Sequence, residues 1–385
     1  MNKYLEIFQN KGKEADEAFA EILALQSGES EPIFTGQTWL DTNLVGGLNN
    51  KMVFALSRPS MGKTHNSASI QNYLLENYED VRILRMNLEM PTQALLLREL
   101  KNSSGKKMKD IISNPFTKEE LKKAEETLNK FKDKRVTDFS KPVAGEEYRQ
   151  LLRAFYLHTS EEEKGLKRKL KKIVVVDHIH TLSSKTEIDE FIEVCNEVKM
   201  VDKNISFIIY GQLNRTIEDT WREAKEKKGF QVNMLPSSKY IYMSDKLQQY
   251  ADIVVAFTIP QVVDLEEFAS VNKTRNQHLK EHFIDDGKDV EYAKLKGLNR
   301  IYYNFIKIRM NDDFDEPRLF CELLDPEKES IVEAVYKESA PKSSPIKAPV
   351  FDETLFSMPK VEVASPVTPI SPLEAFGEPS DDDPF

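Results

Sequence analysis

Residues Ser57-Arg58-Pro59-Ser60-Met61-Gly62-Lys63-Thr64 end in a glycine, a lysine and a hydroxyl side chain. An apolar run, 51–56, leads into them, and a stretch of helical pattern, 66–76, leads out. A turn that opens a helix points backbone N–H groups at an anion. Within it Gly62 permits close approach, Lys63 reaches β and γ phosphates, and Thr64 offers its hydroxyl to a magnesium ion. Arg58, Ser60 and Met61 complete the candidate cradle, so ATP and Mg2+ are the cofactors this segment implies. The usual pattern begins with glycine, and Ser57 stands there instead. A chance Gly-Lys-Thr in a surface loop would not be framed by a strand and a helix, so the phosphate-binding reading is preferred.

Two carboxylates fall where apolar runs end. Asp177 closes the run 173–176 and can hold the magnesium shell through water. Glu89 follows 86–88 and can polarise an attacking water as a general base. Either alone is as often a solvated strand-end acid; beside a phosphate loop they are far more informative. Gln212 follows the run 205–210 and can sense a γ phosphate or DNA, or merely start a loop. Lys307 and Arg309, two residues apart in the strand-like 302–309, share a face. They either keep an edge soluble or supply an arginine finger to a neighbour's nucleotide.

Several elements must position these groups. Residues 51–56, 81–86, 173–176, 205–210, 253–257 and 301–308 read as strands, and segments of helical period such as 118–131 lie between the first four. Strands alternating with helices predict an α/β fold: a mostly parallel, twisted sheet flanked by helices. No internal repeat is visible, and 264–299 reads as a charged surface insertion. Residues 14–25 carry Ala15, Ala18, Phe19, Ile22 and Leu25 at amphipathic helical spacing, followed by a linker at 26–32. A short lone helix must dock on something to be stable. Residues 339–385 hold nine of the chain's 18 prolines and are predicted to be disordered.

Composition sets outer limits. Lys and Arg total 54 against 64 Asp and Glu in 385 residues, a formal charge of −10. That excludes a uniformly basic nucleic-acid coat, though not a local basic channel. The tail 339–385 alone holds eight acids against three lysines, −5 of the total, so the remainder can accommodate a basic pore. No run approaches the ~20 apolar residues of a membrane span, and residues 1–15 lack the apolar core of a secretion signal. Two cysteines, Cys195 and Cys321, fit a reducing cytoplasm and supply no thiolate zinc cluster. His178, His180, His278 and His282 lack a third ligand of the kind zinc requires.

Taken in order, Thr35-Gly36-Gln37-Thr38-Trp39-Leu40-Asp41, Gly46-Gly47-Leu48, Arg58 to Thr64, Asn87-Leu88-Glu89-Met90-Pro91, Val174-Val175-Val176-Asp177 and Gln212-Leu213-Asn214-Arg215 resemble the DnaB-type replicative helicases. Lys307-Ile308-Arg309 resembles that family's Lys-x-Arg finger, and 244–252 a weaker block before the fifth strand. The likeness spans about 31–324, and the family tolerates a small residue at the place of Ser57. It implies a RecA-like P-loop ATPase core forming a homohexamer, ATP between subunits, single-stranded DNA in the pore and 5′ to 3′ movement. The helix at 14–25 would be the linker helix docking on the adjacent subunit. Pore loops would fall in 215–240 and around Ser244, where Arg215, Arg222, Lys225, Lys227, Lys228 and Lys239 form a local basic cluster suited to phosphate contacts. Only about thirty residues precede the core, so the family's N-terminal collar, which engages primase, is expected to be missing. The compactness suggests a phage or mobile element acting in a bacterial host cytoplasm.

The chain ends Asp381-Asp382-Asp383-Pro384-Phe385, three acids leading into a terminal aromatic with a free carboxylate. This resembles the tip of bacterial single-stranded DNA-binding proteins, and implies capture of a primase, polymerase or other replisome protein in a pocket rimmed by cations. The expected organisation is a linker helix and linker in 1–34, the ATPase domain in 35–335 and the tail in 336–385. Two other functions suit the same residues: a RecA-superfamily single-stranded-DNA-dependent ATPase that serves as recombinase or helicase loader without unwinding, and a nucleotide-dependent scaffold working through its tail.

Overall fold

The computed structural model describes residues 12–27, 31–44, 46–141, 147–182, 184–226, 233–241, 245–263, 265, 300–309, 319–325 and 330–332. The insertion expected at 264–299, Lys227, Lys228, Ser244 and the acidic tip at 381–385 lie outside these residues, apart from Leu265.

The described strands form one sheet in the order β3-β2-β4-β5-β1-β6-β7-β8-β9. Its members are β1 (Met52–Ser57), β2 (Val81–Asn87), β3 (Val136–Phe139), β4 (Lys171–Asp177), β5 (Ile205–Gln212), β6 (Ile253–Thr258), β7 (Arg300–Ile308), β8 (Leu319–Asp325) and β9 (Ser330–Val332). The first six are parallel, and β7 to β9 add antiparallel partners at one edge. β1 and β6 are buried along their whole length, as near-continuous apolar runs in a sheet covered on both faces should be.

The order β2-β4-β5-β1 brings four carboxyl ends side by side at one end of the sheet. Asn87 pairs with Asp177, and Ser57 with Gln212. Ligands of parallel α/β sheets gather at such a crevice. Because β7 runs the other way, with Ile308 opposite Ile253 and Tyr302 opposite Thr258, it delivers Lys307 and Arg309 to the opposite end.

The helices are α1 (Lys13–Ser27), α2 (Thr38–Asp41), α3 (Lys63–Asn77), α4 (Thr92–Ser104), α5 (Met108–Ser113), α6 (Lys118–Phe131), α7 (Glu147–Leu166), α8 (Lys185–Val201), α9 (Thr216–Glu226) and α10 (Asp245–Tyr250). The helix expected at 118–131 has those bounds because Thr117 and Glu120 form a reciprocal capping box. α1 leaves Phe19, Ile22 and Leu23 exposed.

All six strands read from the sequence are present, while β3, β8 and β9 were not expected. β3 is a half-buried edge strand of four residues without clear alternation. It is pinned by a bidentate ion pair from Arg85 to Asp138, whose Nη2 to Oδ2 distance is 2.7 Å. The 215–240 segment, expected as pore loop, begins as α9 because Ile217 and Trp221 are buried on one helical face. The Trp221 indole then donates to the Met234 carbonyl at 2.9 Å and closes the segment on itself.

The Thr35–Asp41 segment is a structural clip. Asp41 accepts from the backbone N–H of Thr35 at 2.7 Å and of Gly36 at 2.9 Å. Gly36 has φ +73°, and a Cβ there would lie 2.3 Å from the Tyr73 ring. Gln37 accepts from Asn66 of α3 at 3.1 Å, Asn66 accepts from the Tyr210 hydroxyl of β5 at 2.8 Å, and Trp39 stacks on Tyr303 of β7 with centroids 4.3 Å apart. The motif thus ties the helix behind the phosphate loop to two strands.

Lys172, 1% exposed, sits between Glu163 at 2.7 Å and Asp202 at 2.9 Å. Lys172→Met removes the only charge that offsets these two buried acids in that trio. Loss of one partner of a buried ion pair costs about 3–5 kcal/mol, so chemical denaturation of this variant should show destabilisation of that order.

Candidate active site

The phosphate loop joins β1 to α3. Ser60 has φ +64° and Gly62 φ +83°, and no side chain caps the N-terminus of α3. A Cβ on Gly62 would meet nothing within 4 Å, so the space over the turn is open. Backbone N–H groups and the positive end of the helix therefore face that space together, the arrangement a polyphosphate fits.

Lys63 is buried, and its ammonium donates to the Ser57 hydroxyl at 3.4 Å and the Arg58 carbonyl at 3.3 Å. Burial lowers its pKa, while Asp177 and Glu89 act in the opposite sense. The serine that replaces glycine at the head of the loop thus supplies an acceptor for the lysine.

Asp177 is 7% exposed, and its Oδ1 has no hydrogen-bond partner. Burial raises its pKa, opposed by a hydrogen bond from Thr64 and by the charge of Lys63. A buried carboxylate with an unbonded oxygen beside a threonine hydroxyl fits a magnesium ion, whose charge would relieve the desolvation. Thr64 and Asp177 are the residues that would hold it.

Glu89 lies after β2, and the turn before it is held to β4 by the bond from Leu88 N–H to the Asp177 carbonyl at 2.8 Å. Its side chain is 54% exposed, as a base that must meet water requires, and Oε2 is 3.2 Å from His178 Nε2. His178 is buried, and burial, seconded by Lys63, lowers its pKa to about 4. The imidazole is therefore neutral near pH 7. Gln212 meets the same ring, with its Nε2 3.0 Å from His178 Nε2, and its backbone N–H donates to His180 Nδ1 at 2.8 Å.

Sequence spacing presents His178 and His180 only as zinc ligands without a third partner. Their signal was positional: they stand one and three residues beyond Asp177, on the turn leaving β4. Among the described residues no group of three or more His, Cys, Asp or Glu is placed to hold a metal.

The cradle assignment of Arg58 needs correction. Its guanidinium is buried and turned away, donating to Glu218 of α9 at 2.6 Å and to the Leu213 carbonyl at 2.8 Å. Its side chain braces the phosphate loop against the segment after β5. On that segment Arg215, Arg222, Lys225 and Lys239 are all exposed. Arg222 forms a surface pair with Asp219 at 3.1 Å, and Lys239 lies over the Tyr240 ring at 4.6 Å.

Lys307 and Arg309 are brought together, but at the far end of the sheet. Lys307 donates to the Gln248 carbonyl. Arg309 reaches the Gln249 carbonyl and lies 3.5 Å from Asp252, its backbone N–H donating to the Asp252 carbonyl at 2.7 Å. Lys199 also pairs with Asp252, at 2.5 Å.

Residues 32–289 match the family model described as DnaB-like helicase C terminal domain. The chain belongs to this family. A comparison with curated protein sequences returns no match. Among solved structures, one of a DnaB-like replicative helicase, described together with its interactions with primase, superposes with a TM-score of 0.56 at 17% identity. That match covers 82% of this chain and 66% of the other, so the chain spans a little under two thirds of that helicase. A second solved structure, described as an ATPase domain, superposes with a TM-score of 0.56 at 16% identity, covering 83% of this chain and 98% of that one. At these identities the likeness shows the fold alone, an α/β core of the DnaB-like kind.

Removing the Asp177 charge tests the metal assignment. Residues that orient a metal's water shell are worth roughly 10- to 100-fold in metal affinity. Asp177→Asn should raise the magnesium concentration for half-maximal hydrolysis by that factor, while binding of a fluorescent nucleotide in EDTA changes little.

Proposed function

We propose that the protein is an ATP-dependent replicative DNA helicase that works as a homohexameric ring in the cytoplasm, translocating 5′ to 3′ on single-stranded DNA and unwinding duplex. The observation that carries this reading is the separation of Lys63 and Arg309 at opposite ends of one sheet. A finger so placed cannot serve its own subunit's nucleotide, so catalysis with it requires a neighbour.

ATP is the substrate. Lys63, with the N–H groups of Ser60 to Thr64, holds the β and γ phosphates, and Glu89 accepts the proton of the attacking water. A magnesium ion held by Thr64 and Asp177 would supply charge neutralisation on the phosphates. Arg309 of the adjacent subunit, aided by its Lys307, stabilises charge developing on the transferred group. Gln212 reads the nucleotide state and hands it to the 213–241 segment. The exposed Arg215, Arg222, Lys225 and Lys239 of that segment, with Lys227 and Lys228, face DNA phosphates in the pore. The apolar stripe of Phe19, Ile22 and Leu23 on α1 is the surface that docks on the next subunit, since burying it elsewhere offsets the entropy of a lone helix.

An ATP-driven unwinding assay on a forked duplex tests the reading: strand separation is expected, and DNA-stimulated hydrolysis without separation favours a loader or recombinase instead. Lys63→Ala should abolish turnover. Arg309→Ala should lower kcat by roughly 10³- to 10⁵-fold, and adding Lys63→Ala subunits to it should restore part of the activity through mixed interfaces. Normal turnover by Arg309→Ala would exclude a finger in trans.

The tail, 336–385, is proposed to recruit a primase, polymerase or other replisome partner through Asp381, Asp382, Asp383, Pro384 and Phe385. Deleting 381–385 should remove that partner from a pull-down while leaving unwinding unchanged, and an unaltered set of partners would exclude the role.

A further inference from the structure

His178 lies between the candidate base and the candidate sensor and offers both the same atom. Its Nε2 is 3.2 Å from Glu89 Oε2 and 3.0 Å from Gln212 Nε2, while its buried Nδ1 has no hydrogen-bond partner. A neutral imidazole carries one N–H. With the proton on Nε2, the ring donates to the Glu89 carboxylate and turns an N–H toward the Gln212 amide N–H2, which must then swing away. Nδ1 is buried with no partner to exchange a proton with, so the proton stays on Nε2; the alternative bond forms when the Gln212 amide turns its Oε1 toward the ring, accepts that N–H and displaces Glu89. One N–H serves one of these acceptors fully at a time, so the site has two discrete arrangements.

Resting on the helicase reading above, we infer that His178 is a positioning residue that holds Glu89 and Gln212 in alternation and so couples the hydrolytic base to the DNA-facing segment. The surroundings make Gln212 the moving input. It is the last residue of β5, and the chain after it is tied outward: Asn214 N–H donates to the Tyr240 carbonyl at 2.7 Å, and the Leu213 carbonyl accepts from Arg58, which also grips Glu218 of α9. The strand itself is fixed on the inner side, where Gln212 N–H is bonded to His180 Nδ1 and a Cβ on Gly211 would lie 2.9 Å from the His180 ring. A shift of α9 therefore pulls, through Arg58 and Leu213, on the carbonyl end of Gln212 while its N–H end stays anchored at His180, and so turns the residue and its side chain.

Glu89 is the output. Bonded to His178 it is parked beside the ring, and released from it the exposed carboxylate can take the proton of a water at the γ phosphate. DNA on the 213–241 segment that turns the Gln212 carbonyl oxygen onto the Nε2–H thus frees the base, and hydrolysis accelerates. Physical coupling of this kind needs an element with two arrangements that both sites bias, and the single Nε2 is that element.

The test is steady-state hydrolysis by the full-length protein with and without single-stranded DNA. The His178→Ala variant loses the switch altogether. In His178→Gln, which keeps a polar side chain of similar reach, the amide donates to Glu89 and accepts from Gln212 at once, so exclusivity is lost while the cavity stays filled. General-base catalysis is worth roughly 10²- to 10⁴-fold, so in His178→Gln, where DNA no longer releases the base, the DNA-stimulated kcat should fall at least about tenfold, whereas in His178→Ala, where nothing parks the base, the rate without DNA should rise. In both variants the ratio of kcat with DNA to kcat without it should fall toward one while KM for ATP stays within about twofold. Stimulation by DNA equal to that of the unaltered protein in His178→Gln overturns the inference, as does a KM that rises in step with the loss of kcat. If the unaltered protein shows no DNA-stimulated hydrolysis, the helicase reading itself fails before the variants are compared.

Discussion

The arrangement turns on a carboxylate that the fold buries without fully satisfying. Asp177 ends a strand of apolar residues in the middle of the sheet, shielded from water, with one oxygen unbonded. A charge so placed is tolerated only if something nearby offsets its desolvation. Thr64 and Lys63 do part of this, and they can do so only because β1 lies two places from β4 in the sheet, with β5 between. The strand order is thus an electrostatic requirement as well as a packing solution. The residual deficit is what a cation arriving with a polyphosphate would relieve.

Around this acid the polar groups divide into those that face ligand and those that hold the loops in place. Arg58 shows the difference most clearly. Its place inside the phosphate-loop motif suggests a contact with phosphate, yet its guanidinium is spent on Glu218 and a carbonyl. An arginine is suited to such bracing because its planar fork can meet two acceptors at fixed angles. The same division applies to the Thr35–Asp41 motif, whose polar residues close hydrogen bonds within the scaffold and against α3. A motif shared across a family can be a record of folding constraints rather than of chemistry.

This division also explains what was legible in the residues alone. The fold class and six of the strands followed from apolar runs, since strands buried on both faces carry an uninterrupted signal. The ends of those strands then located Lys63, Thr64, Glu89, Asp177 and Gln212 at one edge. β3 escaped notice because its four residues include an aspartate whose role is visible only when Arg85, on another strand, is placed beside it. Arg58 and the two histidines escaped for a similar reason. Each interacts with groups remote in the chain, and one-dimensional spacing carries no information about which strand end becomes a neighbour.

The far end of the sheet imposes a different logic. There Asp252 accepts from Met52 N–H at 2.8 Å, from Lys199, and faces Arg309. One buried acid thus fixes the start of β1, the end of α8 and the proposed finger together. Since β1 runs from this point straight to the phosphate loop, the group offered to a neighbour's nucleotide and the loop that holds the subunit's own are attached to the two ends of one rigid strand. In a ring of such subunits, a displacement of either end must be felt at the other, because a fully buried strand in a close-packed sheet shifts as a unit and does not stretch. In the proposed ring, communication between successive nucleotide sites would then require no moving domain. It follows from a buried carboxylate at each end of the sheet and an incompressible core between them.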